Sequence, residues 1–227
     1  MGVGAMNITE ARKRHTKLSL EIEKHDRAYY TKDAPLISDA EYDQLRAELT
    51  SIEQEFPELI SLLSPTQKVG AKPAQGFSQI THTVSMLSLG NAFERIDVDG
   101  FVDRVAKFLN VPTSDIEILG ELKIDGLSCS LRYESGALKY AATRGDGQTG
   151  EDITANVKSI ADIPQILPAG APDIVEIRGE IYMRRDDFEA LNAEQARLGK
   201  DKFANPRNAA AGSVRQLDAS VSAARPL

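Results

Sequence analysis

Lys123 stands between two carboxylates in "ELKIDG", with Glu121 and Asp125 two residues to either side. On an extended strand, residues two apart share a face. This spacing therefore gathers carboxylate, ammonium and carboxylate on one side and Leu122 and Ile124 on the other. After Gly126 the apolar set becomes Leu127, Cys129 and Leu131, so the run Glu121–Tyr133 reads as a strand whose phase slips by one. A slip at a glycine predicts a bulge or sharp bend, a device that re-aims neighbouring side chains and is frequent beside active sites. "DIVEIRGEIYM" repeats the design, with Glu176, Arg178 and Glu180 on one face and Val175, Ile177 and Ile181 on the other. Arg144 lies in "TRGDG", where glycines let backbone approach a ligand closely. Two polar strand faces and a glycine loop could line one cleft. The plainer alternative is that charges alternate on any solvent-facing strand and that Asp-Gly is a common turn.

A lysine in such a cleft is a candidate nucleophile. With a pKa of about 10.4, only about one lysine in 2,500 is neutral at pH 7, and making that form dominant takes roughly 4–5 kcal/mol. Glu121 and Asp125 act against this, because carboxylates favour the ammonium form. Desolvation and nearby cations act for it, so the arrangement needs a cationic partner. A Mg²⁺ ion carried with nucleotide phosphates meets that need.

The elements that would position these groups are legible in outline. Leu18, Ile22, His25 and Tyr29 recur at helical spacing and predict a helix over about Thr9–Tyr30, with Thr9 as N-cap and "TKDAP" as its end. Ser38 and Glu41 form a capping box that opens a second helix, whose apolar stripe is Leu45, Leu49, Ile52 and Phe56. "SPTQKVGAKPAQGF" reads as a linker. A helix over about Glu94–Leu109 places Phe101, Val105 and Phe108 inside, and from Glu117 the chain reads mainly as strands. "ESG" predicts a hairpin turn into "ALKYAATR". "RGDGQTGEDITANVKSI" predicts a glycine loop and then a helix with Glu151 and Asp152 in its first turn. "ANPRNAAAGSVRQLD" predicts a last helix capped by Asn205 with Pro206 at its first position. On that helix Arg207 and Arg215 lie roughly on one side, and "AAAGS" marks close packing. The expected class is α+β, with a small helical module at 1–70 and a larger domain of antiparallel sheets flanked by helices at 71–227.

Composition narrows the classes. The 227 residues are 41% apolar and 27% charged, enough for a real core, and the net charge of −7 argues against an independent grip on nucleic acid. One cysteine excludes an internal disulfide and a cysteine-rich zinc site, and Cys129 reads as a small core residue. No run suits a bilayer crossing and the start lacks a secretory signal, so a reducing cytoplasm, without a membrane partner, is the expectation.

"ELKIDG" resembles the nucleotide-attachment motif of covalent nucleotidyltransferases. "YYTKDAPLISDAEYDQL", "SPTQKVG", "MLSLGNAF", "ATRGDGQTGEDIT", "IRGEIYM" and "FANPRNAAAGSVRQLD" narrow the resemblance to the N-terminal part of bacterial NAD⁺-dependent DNA ligases, from about Ile22 to Leu227. The resemblance implies that Lys123 attacks the α-phosphorus of NAD⁺, releasing nicotinamide mononucleotide and leaving an enzyme–AMP phosphoramide. In the full enzyme AMP then passes to the 5′-phosphate of nicked double-stranded DNA. It also implies that Glu121 recognises adenine, that Ser88 and Leu89 line its pocket, and that Arg144 and Glu180 hold ribose and phosphate. Mg²⁺ is implied near Asp125 through water, with no direct protein ligand, and Arg207 and Arg215 are implied to touch phosphate or DNA backbone.

The segment Asp39, Ala40, Glu41, Tyr42 and Asp43, with Tyr29 on the preceding helix and Tyr30 where some relatives carry histidine, is implied to bind the nicotinamide mononucleotide half. Aromatic faces and carboxylates suit a cationic nicotinamide ring. The family's catalytic domain continues past Leu227 with an adenine-stacking aromatic residue and further lysine motifs. An oligonucleotide-binding barrel, a zinc finger, a helix-hairpin-helix region and a BRCT module follow. A monomer that does not seal nicks by itself is therefore expected, with the zinc site absent from this chain. An ATP- or GTP-using relative such as an RNA ligase, and a shortened non-catalytic nucleotide-binding or regulatory protein, are the alternatives; "DAEYD" argues against the first.

Overall fold

Helix α1 (Ile8–Lys32) begins where Asn7 takes up the first free amides. Its Oδ1 accepts from the Thr9 and Glu10 N–H groups at 3.1 and 3.0 Å, and Glu10 reaches back to the Asn7 N–H at 3.3 Å. The cap is thus Asn7 and not the expected Thr9, because only the earlier position puts an acid at the third helical residue to complete the box. Helix α2 (Asp39–Glu55) carries the predicted Ser38–Glu41 capping box. The two helices close on Leu18, Ile22, Leu49 and Ile52, all buried, with Tyr42, Leu45 and Phe56 at the margin. These features come from a computed structural model that describes residues 6–32, 36–61, 64–67, 76–88 and 90–227. Most of the expected linker lies outside them.

The described start of that linker is held by a buried acid. Glu53 is 4% exposed. It pairs with His15 Nε2 at 2.9 Å and accepts from Ser64 and, at 2.5 Å, from Thr66. Burial raises the Glu53 pKa, but the hydrogen bonds from Ser64, Thr66 and His15 outweigh it and hold the carboxyl below its ordinary value. A lowered folded-state pKa adds stability in full above the unfolded value of about 4.3, and that share is lost as pH falls through the lowered one. Glu53→Gln is therefore expected to cost about 1.5–3 kcal/mol at neutral pH. In thermal melts the gap to the parent chain holds down to about pH 4.5 and narrows below it; a gap that does not change with pH would refute this.

The larger sheet has the order β3-β2-β5, all antiparallel, from β2 (Leu127–Glu134), β3 (Ala137–Thr143) and β5 (Ile174–Ile181). β2 and β3 form the predicted hairpin. Ser135 and Gly136 both take positive φ, 49° and 78°, which is the turn whose twist matches paired strands. A second sheet pairs β1 (Gln79–Thr81) with β4 (Thr149–Glu151). Leu127, Cys129, Leu131, Tyr133 and Ile181 project from one face of the larger sheet. They pack on Ile153, Val157 and Ile160 around the short α4 (Thr154–Val157) and on Ala211 and Val214 of α6 (Pro206–Val214). Each fully buried aliphatic side chain contributes about 1.5–3 kcal/mol. Helix α5 (Arg185–Arg197) and α6 share Met183, Leu191, Ala209 and Ala210 in a further cluster. The architecture is α+β, with N-terminal helices followed by the sheet region. No helix among the described residues is long and apolar enough to cross a membrane.

Several expectations need correction. The strand does not begin at Glu121 but at Leu127, and residues 117–126 carry no strand. Apolar–polar alternation makes a strand only where a neighbour supplies a ladder, and β5 pairs with β2 only as far as Leu127, opposite Ile181. Gly126 takes the expected bend just before β2, while the irregularity in the ladder itself falls between Arg132 and Tyr133 in the pairing with β3. Glu151 belongs to β4, not to a helical first turn, because the glycine loop closes back as a strand before α4 starts. Asn205 and Pro206 do open α6 as expected, but Arg215 is the residue after that helix, and a short α7 (Ala219–Ala223) follows.

Residues 87–124 form a separate unit. Its helix α3 (Arg95–Leu109) ends at Asn110 in the left-handed conformation. Of the residues expected inside, Phe101 and Phe108 are exposed, Phe108 by 88%, and Val105 is half-buried; on this helix only Ala106 is buried.

Candidate active site

Gly126 of the Lys-x-Asp-Gly sequence is required by a close approach. A Cβ there would stand 2.3 Å from the carbonyl oxygen of Ile181. The intimacy of these two backbones brings Glu180, one residue before Ile181, against the start of β2. Glu180 accepts from the Gly126 N–H at 3.2 Å and from Ser128 Oγ at 2.7 Å. One nitrogen of the Arg207 guanidinium lies 3.4 Å from Asp125 and 3.7 Å from Glu180. Arg207 and Glu180 are largely covered, whereas the Asp125 side chain is 59% exposed. Glu180 is therefore a fixed acceptor, while Asp125 is held loosely at the rim by a cation that a phosphate could also engage. The predicted residues Asp125, Glu180 and Arg207 come together here.

Arg178, on the same face of β5 as Glu180, turns elsewhere. It bonds Glu176 at 2.8 and 3.0 Å and donates to the carbonyl oxygens of Ser85 at 3.0 Å and Val84 at 2.5 Å. It ties the 84–85 segment to the sheet.

The glycine loop is a tight reversal. Gly145 and Gly147 take φ of 57° and 88°. Asp146 Oδ1 accepts from the Gln148 and Thr149 N–H groups at 3.0 and 2.8 Å. The Arg144 N–H donates to the Ser128 carbonyl at 3.1 Å, so the loop departs from the sheet beside the Glu180 cluster. Beneath it, buried His82 places Nε2 at 3.1 and 3.2 Å from the Thr143 and Arg144 carbonyls. Thr143 Oγ1 donates to buried Glu151 and accepts from its N–H at 3.0 Å, and Arg215 Nε lies 3.9 Å from Glu151. Arg207 and Arg215 thus serve different carboxylates.

In the unit 87–124, Lys123, Glu121 and Ser88 are all exposed, and Leu122 is 87% exposed. Leu89 lies outside the described residues. Cys129 is not a candidate nucleophile. Burial, and next the Glu180 charge, push its thiol up to about 12, so it stays protonated at neutral pH.

In the helical module, α2 carries Asp39, Ala40, Glu41, Tyr42 and Asp43 in its first turns. The Glu41 carboxylate is engaged by the Ser38 N–H at 2.9 Å and hydroxyl at 2.7 Å, while Ala40 is exposed. Asp43 is half-buried. The Tyr42 hydroxyl donates to Asp26 on α1 at 2.5 Å. The side chains of Tyr29, Tyr30 and Asp39 lie outside the described residues.

Residues 74–227 match the family model described as the NAD-dependent DNA ligase adenylation domain, and residues 8–70 match that of the DNA ligase-like N-terminal NAD+-binding domain. The chain belongs to the NAD-dependent DNA ligase family. Over 227 residues, 99% of its length, it is 56% identical to a DNA ligase of Maricaulis maris and, over the same span, 56% identical to one of Azorhizobium caulinodans. A DNA ligase of Rhodopseudomonas palustris is 54% identical over 226 residues. The chain spans about a third of the length of these curated relatives, 32%, 31% and 32% respectively.

Within this ligase-family chain, sequence reasoning missed Ser128, His82 and Asp26. Ser128 faces Glu180 because the β2–β5 register places them directly opposite, and no local pattern reveals a register. His82 carries no motif of its own. Asp26 had a usable signal, since it precedes Tyr29 and Tyr30 by three and four residues and so shares their helical face.

Proposed function

We propose that this chain is the adenylate-accepting part of an NAD⁺-dependent DNA ligase, with a helical module at 1–70 that takes the nicotinamide mononucleotide half and a nucleotidyltransferase domain from 71 onward. The observation that carries this reading is the adjoining pair of family matches, the second of which contains a Lys-x-Asp-Gly motif. Its glycine is demanded by the Ile181 carbonyl.

In the proposed reaction Lys123 Nζ, as the free amine, attacks the α-phosphorus of NAD⁺. The P–N bond forms, the P–O bond to nicotinamide mononucleotide breaks, and the amine proton is released to solvent. Glu121 with Ser88 and Leu89 selects adenine, Glu180 and Arg144 hold ribose and phosphate, and Arg207 and Arg215 meet phosphate or DNA backbone. Glu180 suits its part because its carboxylate is fixed by Gly126, Ser128 and Arg207 and cannot swing. Asp125 presents a largely exposed carboxylate beside this cluster. This fits a Mg²⁺ held mostly by substrate phosphates and water near Asp125, where it would supply the positive charge that favours a neutral lysine. AMP transfer to the 5′-phosphate of nicked DNA belongs to the whole protein, which we place in the cytoplasm as a monomer.

Incubation with NAD⁺ and Mg²⁺ followed by intact-mass measurement tests the reading. The 227-residue chain is expected to gain one AMP slowly and incompletely and to bind nicotinamide mononucleotide weakly in calorimetry. Labelling from ATP but not from NAD⁺ would contradict it.

A further inference from the structure

Asp26 on α1 takes the phenolic hydrogen of Tyr42 on α2 at 2.5 Å, and Arg46, one turn further along α2, approaches the same hydroxyl with a guanidinium nitrogen at 3.4 Å. Both Asp26 and Tyr42 are half-buried. Two consequences follow from the chemistry. The only proton of the phenol is committed, so Tyr42 offers a ligand its ring and not a donor. A phenol that donates a short hydrogen bond to a carboxylate also carries more negative charge into its ring, and a more negative face binds a cation more strongly.

We propose that Asp26 is a positioning residue for the nicotinamide mononucleotide half of NAD⁺. Through the Tyr42 hydroxyl it sets the direction of the ring and makes its face a better seat for the cationic nicotinamide. This rests on the reading that the helical module binds that half of the dinucleotide. It assigns to an acid outside the "DAEYD" segment a share in the preference for a positively charged ring. A plain staple between two helices would steady the module equally for any ligand. A tuned ring discriminates by charge.

The test uses the 227-residue chain and two probes, nicotinamide mononucleotide and its reduced form, whose ring is neutral. Affinities are measured by calorimetry for the parent chain, Asp26→Asn and Tyr42→Phe, with thermal melts to show that each is folded. Each variant is expected to weaken binding of the cationic probe about five- to tenfold while the neutral probe changes by less than about twofold. If Asp26→Asn does not fold, Tyr42→Phe keeps the ring, lacks the bond and carries the same test. Equal losses for both probes, or no loss for either, would overturn the proposal while leaving the module's role intact, because the parent chain still binds. Failure of the parent chain to bind either probe would overturn that role and the proposal together.

Discussion

Lys123→Arg is expected to abolish formation of the AMP adduct while leaving binding of nicotinamide mononucleotide within about twofold of the parent chain. Arginine keeps the positive charge and much of the reach of lysine, but its guanidinium does not lose a proton in proteins, so no free amine is available to attack phosphorus. Removing a covalent nucleophile commonly lowers turnover by on the order of 10⁴-fold or more. Adduct formation and release of nicotinamide mononucleotide should vanish together, since one displacement produces both. Exposure of Lys123 suits this role, as an amine that must meet a substrate phosphate has to be reachable before the substrate arrives. Intact-mass measurement over a time course checks the prediction, and an adduct appearing at the parent rate would refute it.

The second large effect concerns the glycine loop. A Cβ on Gly150 would lie 1.7 Å from the Thr143 carbonyl oxygen, 2.8 Å from its carbon and 3.3 Å from His82 Nε2. The obstacle is backbone belonging to a strand end, and buried His82 braces it from below. Neither can retreat as a flexible side chain would. Gly150→Ala is expected to cost about 3–5 kcal/mol, at the upper end for single substitutions. For a chain of this size that lowers the melting midpoint by roughly 6–20 °C. Gly179→Ala is the control, since nothing lies within 4 Å of a Cβ there, and it is expected to change the midpoint little. Equal midpoints for the two variants would show that the loop yields.

What the sequence revealed, and what it hid, divides along the range of the forces involved. Caps and turns are decided within four or five residues. Ser38 with Glu41, Asn205 with Pro206, and the Ser135–Gly136 turn were therefore all legible. The start at Asn7 in place of the expected Thr9 is decided by Glu10, which only the earlier cap brings to the third helical position. Burial of Cys129 and of Ala209 to Ala211 followed from size and pattern. No strand forms at Glu121 despite the alternation, because alternation describes a side chain's facing and says nothing about whether a neighbour supplies hydrogen bonds. Phe101 and Phe108 fit a helical stripe, yet an apolar stripe is buried only when another surface meets it.

The candidate site follows the same rule. Lys123, Asp125, Glu180 and Arg207 were visible as residue types in suggestive company. Their actual partners were not. Ser128 reaches Glu180 through a register set along the whole of β2 and β5, and Gly126 is glycine because of a carbonyl more than fifty residues away in sequence. The pairing of Arg207 with Asp125 and of Arg215 with Glu151 likewise depends on where α6 ends, one residue before Arg215.

The most direct test of the proposed chemistry is to treat the parent chain with NAD⁺ or ATP in the presence of Mg²⁺, digest it, and locate any AMP by peptide mass mapping. AMP is predicted on the peptide containing Lys123, at that residue, from NAD⁺ and not from ATP. AMP on any other residue, or none from NAD⁺, would contradict the assignment of Lys123 as the nucleophile.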